Sequence, residues 1–209
     1  MSQRQALRQN LQRVRADAVV RAAEQLLCTK GYARMSVDEV AASAGMAKAS
    51  LYKLFRSKEE LVAAAALKTL DDALEVSGQL RAPRGLTPPD QALHALQTVA
   101  IWLIQAQLDH RWTPLLAEEA LGEAAPWASA TVQDKLVQLG IQLGTWITEA
   151  QAGGLLKPDL PLEVILHTLL AQTCHPGLRR LRADPSLKDQ QIVQAVLTSL
   201  LTGLAARPT

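Results

Sequence analysis

Aromatic side chains are scarce, at 3% of the 209 residues, and there is a single phenylalanine. The apolar share is nonetheless 48%, and it is dominated by leucine and alanine rather than by β-branched residues. That balance favours helix throughout and leaves little material for a sheet core. Two cysteines, Cys28 and Cys174, fall far apart on expected helices, which suits buried reduced thiols in a cytoplasmic protein better than a disulfide framework. No run approaches the roughly 18 apolar residues of a membrane span. The first residues are polar and basic without an apolar h-region, so no secretion signal is expected. Neither G-x-S-x-G nor G-x-x-x-x-G-K occurs, internal repeats and low-complexity tracts are absent, and no tight Cys-x-x-Cys pair offers a metal site. Catalytic residues, cofactors and metals are therefore expected to be none.

What is present concentrates between Ser36 and Phe55. This segment reads as two short helices joined at Gly45, which can take the left-handed conformation that redirects a chain. Ala41 supplies the small residue where two steeply crossed helices touch, and Val37, Val40 and Leu51 close a small core. Ser36 with Glu39, and Ser57 with Glu60, read as capping boxes 21 residues apart. Ala47 stands where the second helix would want a Ser or Thr cap. The second helix presents Lys48, Ser50, Tyr52 and Lys53 outward and Leu51, Leu54 and Phe55 inward. This is the pattern of a helix-turn-helix, a shape that enters the DNA major groove.

Charge is polarised in the same direction. Residues 1–58 carry eleven Lys/Arg against four Asp/Glu, a net +7, whereas the whole chain is +2, so the remainder carries −5. A basic end on a nearly neutral chain suits a polyanion. Arg4, Arg8, Arg13 and Arg15 form a basic arm with two readings: entry into a minor groove, or a solvated tail. Tyr52 fits either a phosphate donor or a core tyrosine. Lys58 fits either a phosphate ligand beside the N–H groups of the next helix or a solvated lysine. Lys48 and Lys53 best fit contacts to base edges or flanking phosphates.

Residues 14–64 resemble the N-terminal DNA-binding domain of TetR-type transcriptional regulators. The likeness is carried by Gly31-Tyr32, Ser36-Val37, Ala44-Gly45 and the run Leu51-Tyr52-Lys53-Leu54-Phe55-Arg56-Ser57-Lys58-Glu59. Met35 and Ala47 depart from the Thr and Ser/Thr frequent in that family. The resemblance implies that Ser36, Lys48, Ala49, Ser50, Tyr52, Lys53 and Lys58 contact double-stranded DNA. It also implies an N-terminal arm and DNA-binding domain over 1–57, with the motif at 36–55, and a helical effector-binding and dimerisation domain over 58–209. The expected protein is a homodimeric, cytoplasmic regulator, by default a repressor of a palindromic operator. It would be released by a small, mostly hydrophobic effector, with the fourth helix as the lever.

The all-α reading places about nine helices, near 12–30, 37–44, 48–54, 58–80, then to 109, 112–122, 126–152, from 161 to a break at Pro176-Gly177, and 187–206. Broad apolar faces on the last two carry Ile165, Leu169, Leu170, Ile192, Val196, Leu197, Leu200 and Leu201, candidates for the dimer interface or for packing within one chain. Trp102, Gln105, His110, Trp112 and Trp146 are candidate effector-lining residues, with ordinary core as the other reading. Two rival classes use other features. A metal-sensing regulator would draw on His94, His110, His167, Cys174 and His175, and a helical protein-interaction module would not bind DNA at all. Glu118 and Glu119 near His110 fit a solvated helix face.

Overall fold

The computed structural model describes residues 3–80, 87–111, 129–171 and 176–206. Among these it is all-helical, and the helices are α1 (Gln3–Lys30), α2 (Val37–Ser43), α3 (Lys48–Leu51), α4 (Lys58–Gln79), α5 (Pro89–Leu108), α6 (Ala130–Ala152), α7 (Leu162–Ala171), α8 (Pro176–Ala183) and α9 (Asp189–Leu204). Nine helices thus appear among the described residues, though not the nine expected. The one placed at 112–122 lies outside the described residues, and the stretch opened by Pro161 is divided into α7 and α8.

The N-terminal unit is built on α1, whose Val19, Ala22, Ala23 and Leu27 are buried against α2 and α4. Gly31, at φ 78°, ends the helix, and its N–H donates to the Leu27 carbonyl at 3.0 Å. Ser36 then caps α2: its hydroxyl accepts from the Glu39 N–H while the Glu39 carboxylate accepts from the Ser36 N–H. Substituting such a cap costs about 1 kcal/mol. The second expected box is only half formed. Ser57 accepts from the Glu60 N–H at 3.1 Å, but the Glu60 carboxylate reaches one residue further back, to the Arg56 N–H at 2.6 Å.

The C-terminal unit is a stack in which α4 and α5 both pack along α6. Trp146 of α6 is fully buried there beside Leu143 and Ile147. The start of α5 is tied to α6 by the Thr87 N–H, which donates to the Glu149 carboxylate at 2.9 Å. Next to it Gly153 lies so close to Pro89 that a Cβ there would sit 2.2 Å from the proline ring. At its other end α5 stops by a left-handed residue, His110 at φ 56°, with the Arg111 N–H returning to the Ala106 carbonyl and the His110 N–H to that of Gln107. This is a Schellman-type ending with histidine where glycine is usual. Arg182 of α8 donates to the Leu108 carbonyl, placing a cation at the same helix end. A short antiparallel bridge between Leu156 and Ala205 fastens the end of α9 to the loop after α6.

Candidate nucleic-acid interface

The motif folds as its residue pattern demands. Val40, Ala41, Leu51 and Phe55 are buried, and Gly45 turns the chain at φ 65°. The Met46 N–H closes the turn on the Ala41 carbonyl at 2.9 Å. Met35, one of the two departures from the family pattern, is also buried, so it fills the core and has no access to a ligand. The other, Ala47, caps α3 without any side-chain hydrogen bond. Helical geometry in α3 spans only Lys48–Leu51, shorter than expected, and a turn over 52–54 carries the chain to Phe55. Burying Leu51 and Phe55 forces their neighbours outward: Lys48, Ala49, Ser50, Tyr52 and Lys53 are all exposed.

Three of the seven candidate contacts have partners within the chain, and of these the sequence revealed only the Ser36 cap. Lys48 pairs with Asp38 across the motif at 2.7 Å, and that carboxylate holds the ammonium above its ordinary range. Ser36 is occupied as a cap, so its hydroxyl serves the protein before any ligand. Lys58 is half-buried: it donates to the Tyr32 carbonyl at 2.6 Å and lies 4.1 Å from the centre of that ring. Lys58 is therefore a clamp joining the loop after α1 to α4 and not a freely solvated lysine. Tyr32 completes the clamp by donating to Glu59 at 2.8 Å. Burial first, and then the Glu59 carboxylate, push its phenol to about 12, so it stays a donor at neutral pH. Glu39 is pulled down to about 2, first by Lys30 and then by the Ser36 N–H and hydroxyl. Apart from the Ser36–Glu39 cap, these pairs join residues 9 to 27 apart in sequence, which no local spacing rule reports.

Behind the motif lies a buried polar junction that sequence reasoning missed. Glu24 of α1 is 4% exposed and Thr69 of α4 is 1% exposed. The Thr69 hydroxyl lies 3.3 Å from the Glu24 carboxylate and 3.4 Å from the Arg111 carbonyl, just past the end of α5. Burial raises the Glu24 carboxyl to about 7; Thr69, Lys68 and Arg111 oppose the rise and Asp72 adds to it. Three elements from both halves of the chain thus meet at the Thr69 hydroxyl.

The remaining candidates distribute as follows. Ile165, Leu169, Ile192, Leu197 and Leu200 are buried within the single chain, against α5, α6 and α8, and are core rather than outer surface. Leu170, Val196 and Leu201 are half-buried. A cleft of about 590 Å³ opens beside them, lined by Thr168, Leu181, Val196, Ser199 and Gly203 among others. Of the effector-lining candidates, Trp146 is interior and Trp102 half-buried. His110 is the left-handed cap of α5, and Gln105 is exposed. Trp112, Glu118, Glu119, Cys174 and His175 lie outside the described residues, and Cys28 is half-buried. Among the described residues no three metal-binding side chains stand together, and no helix is long and apolar enough to cross a membrane.

A basic helix-turn-helix set on a helical second domain defines a DNA-binding regulator fold. Residues 19–65, the motif with the helices that flank it, match the model of the bacterial regulatory proteins of the tetR family. Solved structures of similar shape are regulators of this type. The ketosteroid transcriptional regulator KstR2 of Mycobacterium tuberculosis has a TM-score of 0.69 at 20% identity, with 92% of this chain and 96% of that chain covered. AibR, solved with isovaleryl coenzyme A and operator DNA, has a TM-score of 0.67 at 24% identity, with 90% and 98% covered. The fatty acid degradation regulator FadR from Bacillus halodurans has a TM-score of 0.64 at 17% identity, with 92% and 97% covered. No curated protein matches the chain.

Proposed function

We propose that this chain is a cytoplasmic, non-enzymatic, ligand-responsive transcriptional repressor that binds a palindromic operator as a homodimer. One observation carries the reading: the exposed rim of α3, with Lys48, Ala49, Ser50, Tyr52 and Lys53 all facing solvent over a buried Leu51 and Phe55. Lys48 and Lys53 supply cations and Ser50 and Tyr52 hydroxyls, the donor set that phosphates and base edges accept. Ser36 and Lys58 flank this rim, and with their side chains engaged they contribute chiefly by fixing its position. Residues 1–57 form the DNA-binding unit and 58–209 the unit that receives effector and partner.

A four-residue recognition helix covers too little DNA for selectivity on its own, and a two-fold pair doubles the contact. The dimer surface is the outer side of α7–α9, where Leu170, Val196 and Leu181 retain exposure beside the 590 Å³ cleft. The effector is a small and largely apolar molecule bound among α4–α6, whose facing sides carry Leu70, Leu103, Leu143 and Trp146. Displacement is relayed to α1 through α4 and the Glu24–Thr69–Arg111 junction.

Selection of duplexes from a random pool tests the proposal. The expected product is an inverted repeat with half-sites separated by about one helical turn, or roughly 34–36 Å. Enrichment of no sequence, or of a single unrepeated half-site, contradicts it.

A further inference from the structure

Among the described side chains of α1 the first buried one is Val19, yet the helix begins at Gln3. Ala16 is the first side chain to pack on the core, so the preceding turns, about 20 Å at 1.5 Å per residue, project beyond the core that the rest of the helix builds. Neither sequence reading of the basic arm anticipated this: the arginines stand on a continuous helix, neither a loose strand nor a coil. Arg8, Gln12 and Arg15 are spaced i, i+4, i+7 and share one stripe of it. Between this projection and the motif lies a cleft of about 470 Å³, with Gln12 and Arg15 on one wall and Ala47, Ser50 and Lys53 on the other. Arg8 extends the first wall by one turn. Two of the residues assigned to DNA, Ser50 and Lys53, thus also face α1 across an open trough.

Charge says what the trough accepts. Residues 1–16 contain four arginines and no acid, and the opposing wall adds Lys53. A polyanionic strand meets complementary charge from both sides, whereas a second copy of α1 would bring the same positive charge against itself. We infer that the projecting half of α1 and the α3 rim form the two walls of a phosphate-backbone clamp, in which Arg8, Gln12 and Arg15 hold the DNA strand flanking the groove that α3 reads. The inference rests on the DNA-binding reading above and extends the interface beyond the helix-turn-helix. Since backbone contacts carry no base information, this wall contributes affinity and register while the α3 rim contributes selectivity. Leu7 and Leu11, which are 60% and 51% exposed on the adjoining stripe, lie against sugar edges in this arrangement, and Val14 lines the cleft itself.

The test uses the full chain and the duplex recovered by selection. Affinity is measured against potassium chloride for wild type, for the double variant Arg8→Gln/Arg15→Gln and for Arg8→Lys/Arg15→Lys, with helicity and sedimentation as controls. The glutamine pair should flatten the log–log salt slope by about two per protomer. It should also shorten the hydroxyl-radical footprint at its outer edges and leave the ranking of base preferences unchanged. The lysine pair should restore the slope. A slope and footprint unchanged in the glutamine pair overturn the clamp while leaving the helix-turn-helix reading intact. Weaker self-association in that pair shows instead that the stripe joins two copies, and likewise overturns it. Wild type without sequence preference overturns the underlying DNA-binding reading itself.

Discussion

Replacing Glu24 by glutamine keeps the shape and the acceptor for Thr69 but removes the charge from a site that is 4% exposed. In the folded chain this carboxyl titrates at about 7 rather than 4.5. Between those pH values the native state holds a proton that the unfolded chain has released, so stability falls as pH rises through the window. The cost is absent below pH 4.5 and complete above 7. Its ceiling is about 3 kcal/mol at 1.36 kcal/mol per pH unit. Relaxation toward Lys68 and Arg111 trims the expected gain of Glu24→Gln to about 1–3 kcal/mol at pH 8. At pH 5 wild type and variant should nearly coincide. Urea unfolding followed by circular dichroism, at one protein concentration because association shifts apparent stability, provides the comparison. The difference between the two proteins isolates this one group from every other titration. A variant less stable than wild type at pH 8, or a difference that does not change with pH, refutes the reasoning.

Other perturbations separate geometry from packing. Leu51→Ala should destabilise the protein by about 2–5 kcal/mol in denaturant unfolding, because the leucine is 1% exposed in the small core of the motif. Gly45→Ala meets no atom within 4 Å but requires a left-handed alanine, so it should cost only about 1–2 kcal/mol of backbone strain. Gly153→Ala has an ordinary backbone and collides with Pro89, so by thermal melting it should be the more damaging of the two glycine changes. Asp38→Asn releases Lys48 and removes an acid from the face proposed to meet DNA. It should raise affinity for random duplex several-fold at low salt, and no gain in a gel-shift titration would count against placing Lys48 at the interface.

The N-terminal motif was legible because its rules are local. A serine three residues before a glutamate, a glycine after a short helix and apolar residues at helical spacing each act within a turn or two, and Ser36, Gly45 and Leu51 stand where those rules put them. The long-range partners were not legible. Nothing in the spacing of Lys58 and Tyr32, or of Glu24 and Thr69, marks them as neighbours, since packing of α1 on α4 makes them so. The apolar faces of α7 and α9 were recognised as broad, but breadth does not say which side a chain covers with itself. Ile165 and Ile192 are covered internally by α6 and by α5 with α8. Gln105 and His110 were chosen by residue type, which carries no information on exposure or backbone; the structure exposes Gln105 and sets His110 at the left-handed end of α5.

Helix α4 has apolar or hydroxyl side chains buried along its whole length, from Leu61 to Ser77, and no proline or glycine before Gly78. Such a rod transmits rotation without bending. Its 22 residues span about 33 Å at 1.5 Å each, so a tilt of about 5° pivoting near Gln79 carries Lys58 through roughly 3 Å. In a two-fold assembly both ends swing, and that arc is comparable to the reach of a hydrogen bond. A rearrangement around Trp146 too small to disturb the core would then suffice to throw two recognition surfaces out of step with the pitch of a duplex.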